Sequence, residues 1–315
     1  MSAIGGYLGL ELGHGNPMHA DAIPLNLGRH ALGYVLRARG YKRVHLPHFT
    51  CDVLRPTLVQ SGVEMVLYGL DPAMEPLSDP SHLNEDECFL YTNYFGLKDR
   101  TAERLAGSAR NLVIDNAQSF YSPPLPGVDT FYSCRKFFGV PDGAYLYTDA
   151  PPVSNLERDV SGDRCAHLLL NIDQGVEAGY SAYQMNEAKL GEVPMRTMSL
   201  LTERLMSSID HAEVISRRRA NRDRLHAALK DRNLLATDPQ AAGVPLYYPF
   251  QTEDVALRER LRAHRIYTPV LWTGLLGKAE PGSAERLLVD QLVHLPVDQR
   301  YGPEHMDRIL EHVLA

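Results

Sequence analysis

The sequence predicts an α/β fold, in which a mostly parallel central sheet is flanked by helices on both faces. Segments with apolar residues at helical spacing alternate with short apolar segments from about residue 26 to about residue 155. Such alternation is typical of parallel strands that are joined by helices. At 315 residues the chain can bury one large core or two unequal ones.

The predicted elements follow one another in a regular order. Apolar residues from Ala31 to Leu36 predict a helix in GRHALGYVLRARGY. RVHLPHFT predicts a strand, CDVLRPTLVQSG a helix and VEMVLYGL a second strand. Two buried strands are predicted next, in ECFLYTNYFG and NLVIDNAQ, with the helix TAERLAGSA between them. Two more strands are predicted in VDTFYS and GAYLYTD.

The pattern changes after about residue 155. PMRTMSLLTERLMSSIDHAEVISRRRANRDRLHAALKDR predicts one long connecting helix. Beyond this helix, three strands are predicted in GVPLYYPF, YTPVLW and LVHLPVD. Two helices are predicted in DVALRERLRAHRI and GPEHMDRILEHVL. We therefore expect a large α/β domain over residues 1–200, starting with an N-terminal arm, and a connecting helix with a small C-terminal α+β domain over residues 201–315.

Composition argues against several classes of protein. The formal net charge is −7, and the basic cluster RRRANRDR (217–224) contains no aromatic residue, so we predict no nucleic-acid partner and expect this cluster to be the solvated face of a helix. No apolar run approaches about 20 residues, which predicts no membrane span. The start of the chain lacks the features of a signal peptide, and the four cysteines are scattered without metal-binding spacing. We therefore expect a cytoplasmic protein with reduced thiols and no metal site.

Chemically reactive side chains follow two of the predicted strands. Asp115 ends the strand NLVID, with Gln118 just beyond it, and Lys136 follows the strand VDTFYS. In LNLGRHAL, Gly28 begins a helix whose free N–H groups can bind an anion. Because functional residues of α/β sheets collect at the carboxyl ends of the strands, an acid, an amine and an anion site are expected at one edge.

These features fit pyridoxal phosphate. That cofactor needs a lysine amine for a Schiff base, a carboxylate beside its pyridine nitrogen and a cradle for its phosphate. The carboxylate keeps the ring nitrogen protonated, and the apolar neighbours Phe137 and Phe138 favour the neutral amine. Aspartate and lysine also occur at the strand ends of other α/β proteins, so the pattern alone leaves other functions open.

Several motifs together resemble the DegT-like family of pyridoxal-phosphate enzymes, which have fold type I and are mostly sugar aminotransferases. LNLGRHALGYVLR resembles its opening helix, VHLPHFTCDVL its Pro-x-x-Thr segment and YTNYFG its Asn-x-Phe-Gly loop. VIDNAQS is similar to its Asp-x-Ala-Gln motif, and HRIYTPVLW with VHLPVDQRYGPEHMDRI resembles its C-terminal signature. The resemblance spans residues 20–313 of a chain that is shorter than typical members.

The resemblance implies roles for particular residues around the cofactor ring. Lys136 is implied as the Schiff-base lysine, and Asp115 as the partner of the pyridine nitrogen. Gln118 would bind the ring hydroxyl, and Ala117 would pack beneath the ring. The neighbouring Arg135 cannot take the role of Lys136, because an arginine stays protonated and cannot form the Schiff base.

The resemblance also implies a phosphate site, with departures from the family pattern. The backbone N–H groups of Gly28 and Arg29 and the hydroxyl of Ser133 would hold the phosphate. Ser133 lies three rather than five residues before the lysine, and Cys51 stands where the family has a ring-stacking aromatic residue. Phe49, His48 and Tyr94 are possible replacements for that residue. GYSAYQ stands where the family has a segment whose asparagine reaches the phosphate of the partner subunit.

The function implied by the resemblance is amino-group transfer to a keto-sugar in surface-polysaccharide or amino-sugar biosynthesis. Glutamate is the expected donor, the keto-sugar is expected to be nucleotide-linked, and the cofactor would alternate with pyridoxamine phosphate. A homodimer is implied, with the start GGYLGLELG as an arm on the partner subunit. Two alternatives remain. A related sugar dehydratase has histidine in place of Lys136, and a catalytically idle binding protein would not need Asp115, Gln118 and Lys136 together.

Overall fold

A seven-stranded sheet organises most of the molecule. The computed structural model describes residues 4–235, 243–275, 279–280 and 282–315. The strands are β1 (Ile23–Leu25), β2 (Arg43–Pro47), β3 (Glu64–Tyr68), β4 (Glu87–Thr92), β5 (Leu112–Asp115), β6 (Asp129–Ser133) and β7 (Ala144–Tyr147). Their order is β1-β7-β6-β5-β4-β2-β3, in which β7 is antiparallel to both neighbours and the other pairs are parallel. This arrangement confirms the predicted fold class and adds β1, which the sequence pattern did not predict.

Both faces of this sheet are buried. The helices α1 (Gly28–Arg39), α2 (Leu54–Gln60) and α3 (Asp99–Ala106) lie where the sequence predicts helices. Leu90 of β4 packs in a core cluster with Leu32 of α1, whereas its neighbour Phe89 packs in a second cluster with Leu105 of α3. Because successive strand residues point to opposite faces, this alternation shows helices on both sides of the sheet.

Four helices follow the sheet in the chain. They are α4 (Ala166–Gln174), α5 (Val176–Glu192), α6 (Leu200–Ser207) and α7 (His211–Leu229). The predicted single connecting helix is wrong, because it is divided between α6 and α7. Asp210 begins α7 as its N-cap, and its carboxylate accepts a hydrogen bond from the N–H of Glu213 (3.0 Å). The helices α4 and α5 form an antiparallel pair, called here the α4–α5 hairpin, which the sequence pattern did not predict.

The C-terminal part is a small α+β unit. A two-stranded antiparallel sheet of β8 (Tyr247–Gln251) and β9 (Leu292–Pro296) packs with α8 (Leu257–Ala263), α9 (Ala284–Gln291) and α10 (Pro303–Leu314). The strand predicted in YTPVLW is wrong, since residues 267–272 form no ladder and Pro269 has no N–H to donate to one. The domain division near residue 200 stays a prediction.

Candidate active site

The carboxyl ends of β4, β5 and β6 lie side by side. Asp115, the last residue of β5, is paired with Thr92 of β4 on one side and with Phe131 of β6 on the other. Ser133 follows at the end of β6, and the short turn Cys134–Lys136 comes directly after it. Parallel neighbouring strands therefore bring Asp115 and Lys136 to the same edge of the sheet, as the sequence predicts.

Lys136 and Asp115 are close enough to influence each other electrostatically. Burial raises the pKa of Asp115, whereas the charge of Lys136 and a hydrogen bond from the N–H of Ala117 (2.8 Å) lower it. Lys136 itself is half-buried and makes no hydrogen bond or ion pair with any residue that the structure describes. The site thus combines a buried carboxylate with an amine that is available for chemistry.

Buried polar atoms without hydrogen-bond partners surround this edge of the sheet. Oε1 of Gln118 accepts a hydrogen bond from the N–H of Phe95 (3.0 Å), which orients the side chain. Its Nε2 is buried with no partner among the described residues, and so are the hydroxyls of Thr50 and Thr92. An unsatisfied buried donor costs about 1–3 kcal/mol, so several at one place indicate a site that a polar ligand completes. The free amide of Gln118 fits the hydroxyl of a pyridoxal ring.

The start of α1 offers a cradle for an anion. No described residue accepts a hydrogen bond from the backbone N–H of Gly28 or Arg29, and no side chain caps the helix at Leu27. A Cβ added to Gly28 would lie 3.9 Å from the Cβ of Ser133, so the helix start packs directly beside the end of β6. These backbone donors and the nearby hydroxyl fit a phosphate group.

The candidates for a ring-stacking residue differ in accessibility. Phe49 is fully buried, and it packs edge-on against Trp272 with ring centroids 4.3 Å apart. Tyr94 is also fully buried, and its hydroxyl donates to the carbonyl of Phe49 (2.8 Å). His48 and Cys51 are half-buried. Both predicted aromatic replacements are therefore core residues, and the choice of a stacking residue stays a prediction.

His294 is a site residue that the sequence reasoning missed. Its Nδ1 lies 3.0 Å from the carbonyl of Pro269, and since a carbonyl only accepts, Nδ1 carries the proton. Its Nε2 is buried without a partner among the described residues. The pKa of His294 is lowered to about 4, mainly by burial; the hydrogen bond to Pro269 opposes this shift, and the charges of Arg258 and Lys136 contribute to it. A single histidine inside the apolar segment LVHLP was the available signal.

Arg218 and Gln299 hold the peptide that follows Lys136. The carbonyl of Phe137 accepts hydrogen bonds from Nε2 of Gln299 (2.9 Å) and from the guanidinium of Arg218 (3.3 Å). Arg218 is only 1% exposed, so the predicted solvated face of cluster 217–224 is wrong for this residue, although Arg219 and Arg224 of the same cluster are exposed. The buried partners of Arg218 lie far away in the sequence, so the helical charge pattern could not reveal them.

The helix α5 lies over the residues that precede Lys136. Glu187 forms an ion pair with Arg135, and the carbonyl of Leu190 accepts a hydrogen bond from the guanidinium of Arg29. Ser181 and Gln184, in the segment GYSAYQ, are exposed on this helix. Among the residues that the structure describes, no group of three or more His, Cys, Asp and Glu side chains could hold a metal ion. No helix in these ranges is both long and apolar enough to cross a membrane.

The fold is similar to that of solved structures, several of which are named as aminotransferases. A DegT DnrJ EryC1 StrS aminotransferase from Brucella abortus is 17% identical, with a TM-score of 0.60 over 93% of this chain and 85% of that chain. AtS13 from Actinomadura melliaura is 15% identical, with a TM-score of 0.65 over 94% and 86% of the two chains. Spr1654 from Streptococcus pneumoniae, a putative sugar aminotransferase solved in a PLP form, is 13% identical, with a TM-score of 0.62 over 92% and 85%. No family profile matches the sequence, and no curated protein matches it. The structural likeness confirms the predicted fold-type-I architecture.

Proposed function

We propose that this protein is a pyridoxal-phosphate-dependent aminotransferase. The observation that carries the proposal is the convergence of Asp115, Gln118 and Lys136 at one sheet edge, where Lys136 has no partner among the described residues. The anion cradle at the start of α1 lies beside the same edge. The fold shared with solved structures that are named as aminotransferases supports this assignment.

The side chains have distinct tasks in the proposed reaction. Bound pyridoxal phosphate supplies an electron-withdrawing ring that stabilises negative charge on the carbon beside the amino group. With the cofactor bound, Asp115 would accept the N–H of the pyridine ring, Gln118 would donate from Nε2 to the ring hydroxyl, and Ala117 would pack against the ring. Nζ of Lys136 would hold the cofactor, and the same amine would take the proton of the donor α-carbon as general base and return it as general acid.

The substrates and assembly are part of the same proposal. Glutamate is the proposed amino donor, and a nucleotide-linked keto-sugar is the proposed acceptor, because the structural neighbours are named as sugar aminotransferases. We also propose a homodimer of twice 35.2 kDa. Exposed apolar side chains support it, since Tyr7 and Leu8 of the N-terminal arm and Ile172 of the α4–α5 hairpin lie open to solvent.

Reconstitution with pyridoxal phosphate tests the cofactor assignment. The wild-type protein should show an absorbance band that borohydride removes, with the reduced label on Lys136. Lys136→Ala should abolish the band, because no other amine takes this place, whereas Lys42→Ala, which changes an exposed lysine, should keep it. Added glutamate should convert the band to that of pyridoxamine phosphate.

Three results would contradict the proposal. The first is a wild-type protein that forms no absorbance band with pyridoxal phosphate. A band that persists in Lys136→Ala would refute the assignment of the lysine. A wild-type band that no amino acid converts would favour the dehydratase-like or the idle alternative over amino-group transfer.

A further inference from the structure

A second group of unpartnered polar atoms lies at the α4–α5 hairpin. Asn186 of α5 is 3% exposed, yet neither Nδ2 nor Oδ1 of its amide has a partner among the described residues. Nδ1 of His167 and Nε of Arg164 are also buried and unpartnered within the same part of the chain. Burying an amide without hydrogen bonds is unfavourable, so this arrangement points to a ligand that would supply them.

Positive charge is concentrated around Arg135 at the same place. Burial lowers the pKa of Arg135, and the charges of Arg29 and Arg164 act in the same direction, whereas Tyr183 and Asp142 raise it. Arg164 is itself paired with Asp159 (2.9 Å). Burial also lowers the pKa of His167, and the charge of Arg135 adds to this effect. Cations that repel one another in a partly buried setting are stabilised by an anion between them.

The face of α5 that bears Asn186 is turned towards these cations. Tyr183, three residues before Asn186, is close enough to Arg135 to affect its pKa, and the carbonyl of Leu190, four residues after it, is bound by Arg29. Residues three and four apart share one face of a helix, so Asn186 lies between these two contacts. Glu187, the next residue, is the carboxylate that pairs with Arg135 in the present arrangement.

We propose that Arg135 and Asn186 bind a phosphate group in a pocket that the α4–α5 hairpin closes. The inference rests on the proposed function. If the phosphate is that of the cofactor, Arg135 and Asn186 add two ligands to the cradle at Gly28 and Ser133. An arginine presents a fork of N–H donors to two phosphate oxygens, and the asparagine amide donates to a third. The phosphate can come from the cofactor or from a nucleotide-linked substrate. Glu187 competes with it for Arg135.

Three probes separate these sources: pyridoxal phosphate, pyridoxal without the phosphate, and uridine diphosphate. The two pyridoxal compounds are titrated by absorbance and uridine diphosphate by calorimetry. If the cofactor supplies the phosphate, Asn186→Ala should weaken pyridoxal phosphate binding about tenfold and leave pyridoxal binding unchanged. If the substrate supplies it, the same loss should appear for uridine diphosphate alone.

Two further variants test whether the affinity for phosphate can be increased as well as decreased, and provide a control with unchanged affinity. Glu187→Gln removes the competing carboxylate, so it should tighten binding of the same phosphate compound. Glu192→Gln changes an exposed carboxylate of the same helix, outside the segment GYSAYQ, and should bind every probe as the wild type does. Circular dichroism and thermal unfolding of each variant establish that the helix remains folded.

The pocket is refuted if Asn186→Ala and Glu187→Gln bind both phosphate compounds as the wild type does. It is also refuted if Asn186→Ala weakens pyridoxal phosphate and pyridoxal by the same factor, because the amide would then not act on the phosphate. A wild-type protein that forms no band with either pyridoxal compound would refute the proposed function instead. In that case only the uridine diphosphate titration tests the proposed phosphate site, and a wild-type protein that does not bind uridine diphosphate would refute the site.

Discussion

Arg218 shows how one buried cation ties the candidate site to the C-terminal unit. Its guanidinium donates to the carbonyls of Pro245 (3.1 Å) and Leu246 (3.2 Å) as well as to that of Phe137, and it lies 4.5 Å from the centre of the Phe137 ring. Burial lowers the pKa of Arg218 to about 10, so the side chain remains charged at neutral pH. The same side chain therefore fixes the loop after Lys136 and the start of β8.

Replacing Arg218 should destabilise the protein strongly. Arg218→Met keeps the bulk of the side chain but leaves several buried carbonyls with fewer donors, so we expect the free energy of unfolding to fall by about 2–4 kcal/mol. The adjacent Arg217 pairs only with Glu213 on the surface among the contacts described, and Arg217→Met should change stability by less than about 0.5 kcal/mol. Urea unfolding of both variants measures the difference, and equal losses would contradict a specific role for Arg218.

The turn before β7 positions the segment that carries Lys136. Gly143 has a φ of 118°, and a Cβ placed on it would lie 2.9 Å from Cγ2 of Thr202 and 3.1 Å from Cys134. Its carbonyl accepts a hydrogen bond from the N–H of Cys134 (3.1 Å), and its own N–H donates to Asn26 (2.6 Å). The turn thus connects β7, the turn Cys134–Lys136 and the segment that leads into α1.

A side chain at position 143 should therefore disturb this element. Gly143→Ala combines an unfavourable φ with close contacts, and we expect a loss of about 2–4 kcal/mol in the free energy of unfolding together with weaker binding of pyridoxal phosphate. Gly139→Ala is the matched control, because its φ is not positive and its Cβ would meet Leu168 at an ordinary 3.4 Å. That variant should stay within about 1 kcal/mol of the wild type. Similar losses for both would show that the turn has no special role.

Three histidines are buried in the neutral state in different parts of the molecule. Burial lowers the pKa of His19, His30 and His294 from 6.5 to about 4. In the unfolded chain these side chains bind protons below about pH 6.5, whereas in the folded chain they do so only near pH 4. The unfolded state therefore binds more protons between these two values, and stability falls as the pH falls through this window.

Acid should consequently destabilise the whole protein between pH 6.5 and 4. Each of the three histidines contributes at most about 3 kcal/mol to this loss. Urea unfolding at several pH values should show a smaller pH dependence in His294→Gln than in the wild type, because one titrating group is removed. His82→Gln changes an exposed histidine and should keep the wild-type dependence. An unchanged dependence in His294→Gln would contradict the buried neutral state of His294.

Local sequence patterns were sufficient to predict most strands of the large sheet. Apolar segments and helical spacing predicted six of its strands and the helices α1 to α3, because each of these elements buries its own apolar residues. The same reasoning failed for YTPVLW, which contains a proline that cannot pair in a ladder, and for the break between α6 and α7. It also gave no account of the α4–α5 hairpin, whose apolar residues, such as Ile172, are largely exposed.

The sequence by itself determined the order of the strands along the chain and the chemical types at their ends. Asp115, Gln118 and Lys136 could be selected from it because they follow two segments that the sequence predicts to be strands. Only the tertiary structure decided which distant groups lie near this site, as with His294 near Lys136 and Glu187 beside Arg135. These contacts depend on packing between elements far apart in the chain, and no local periodicity encodes such packing.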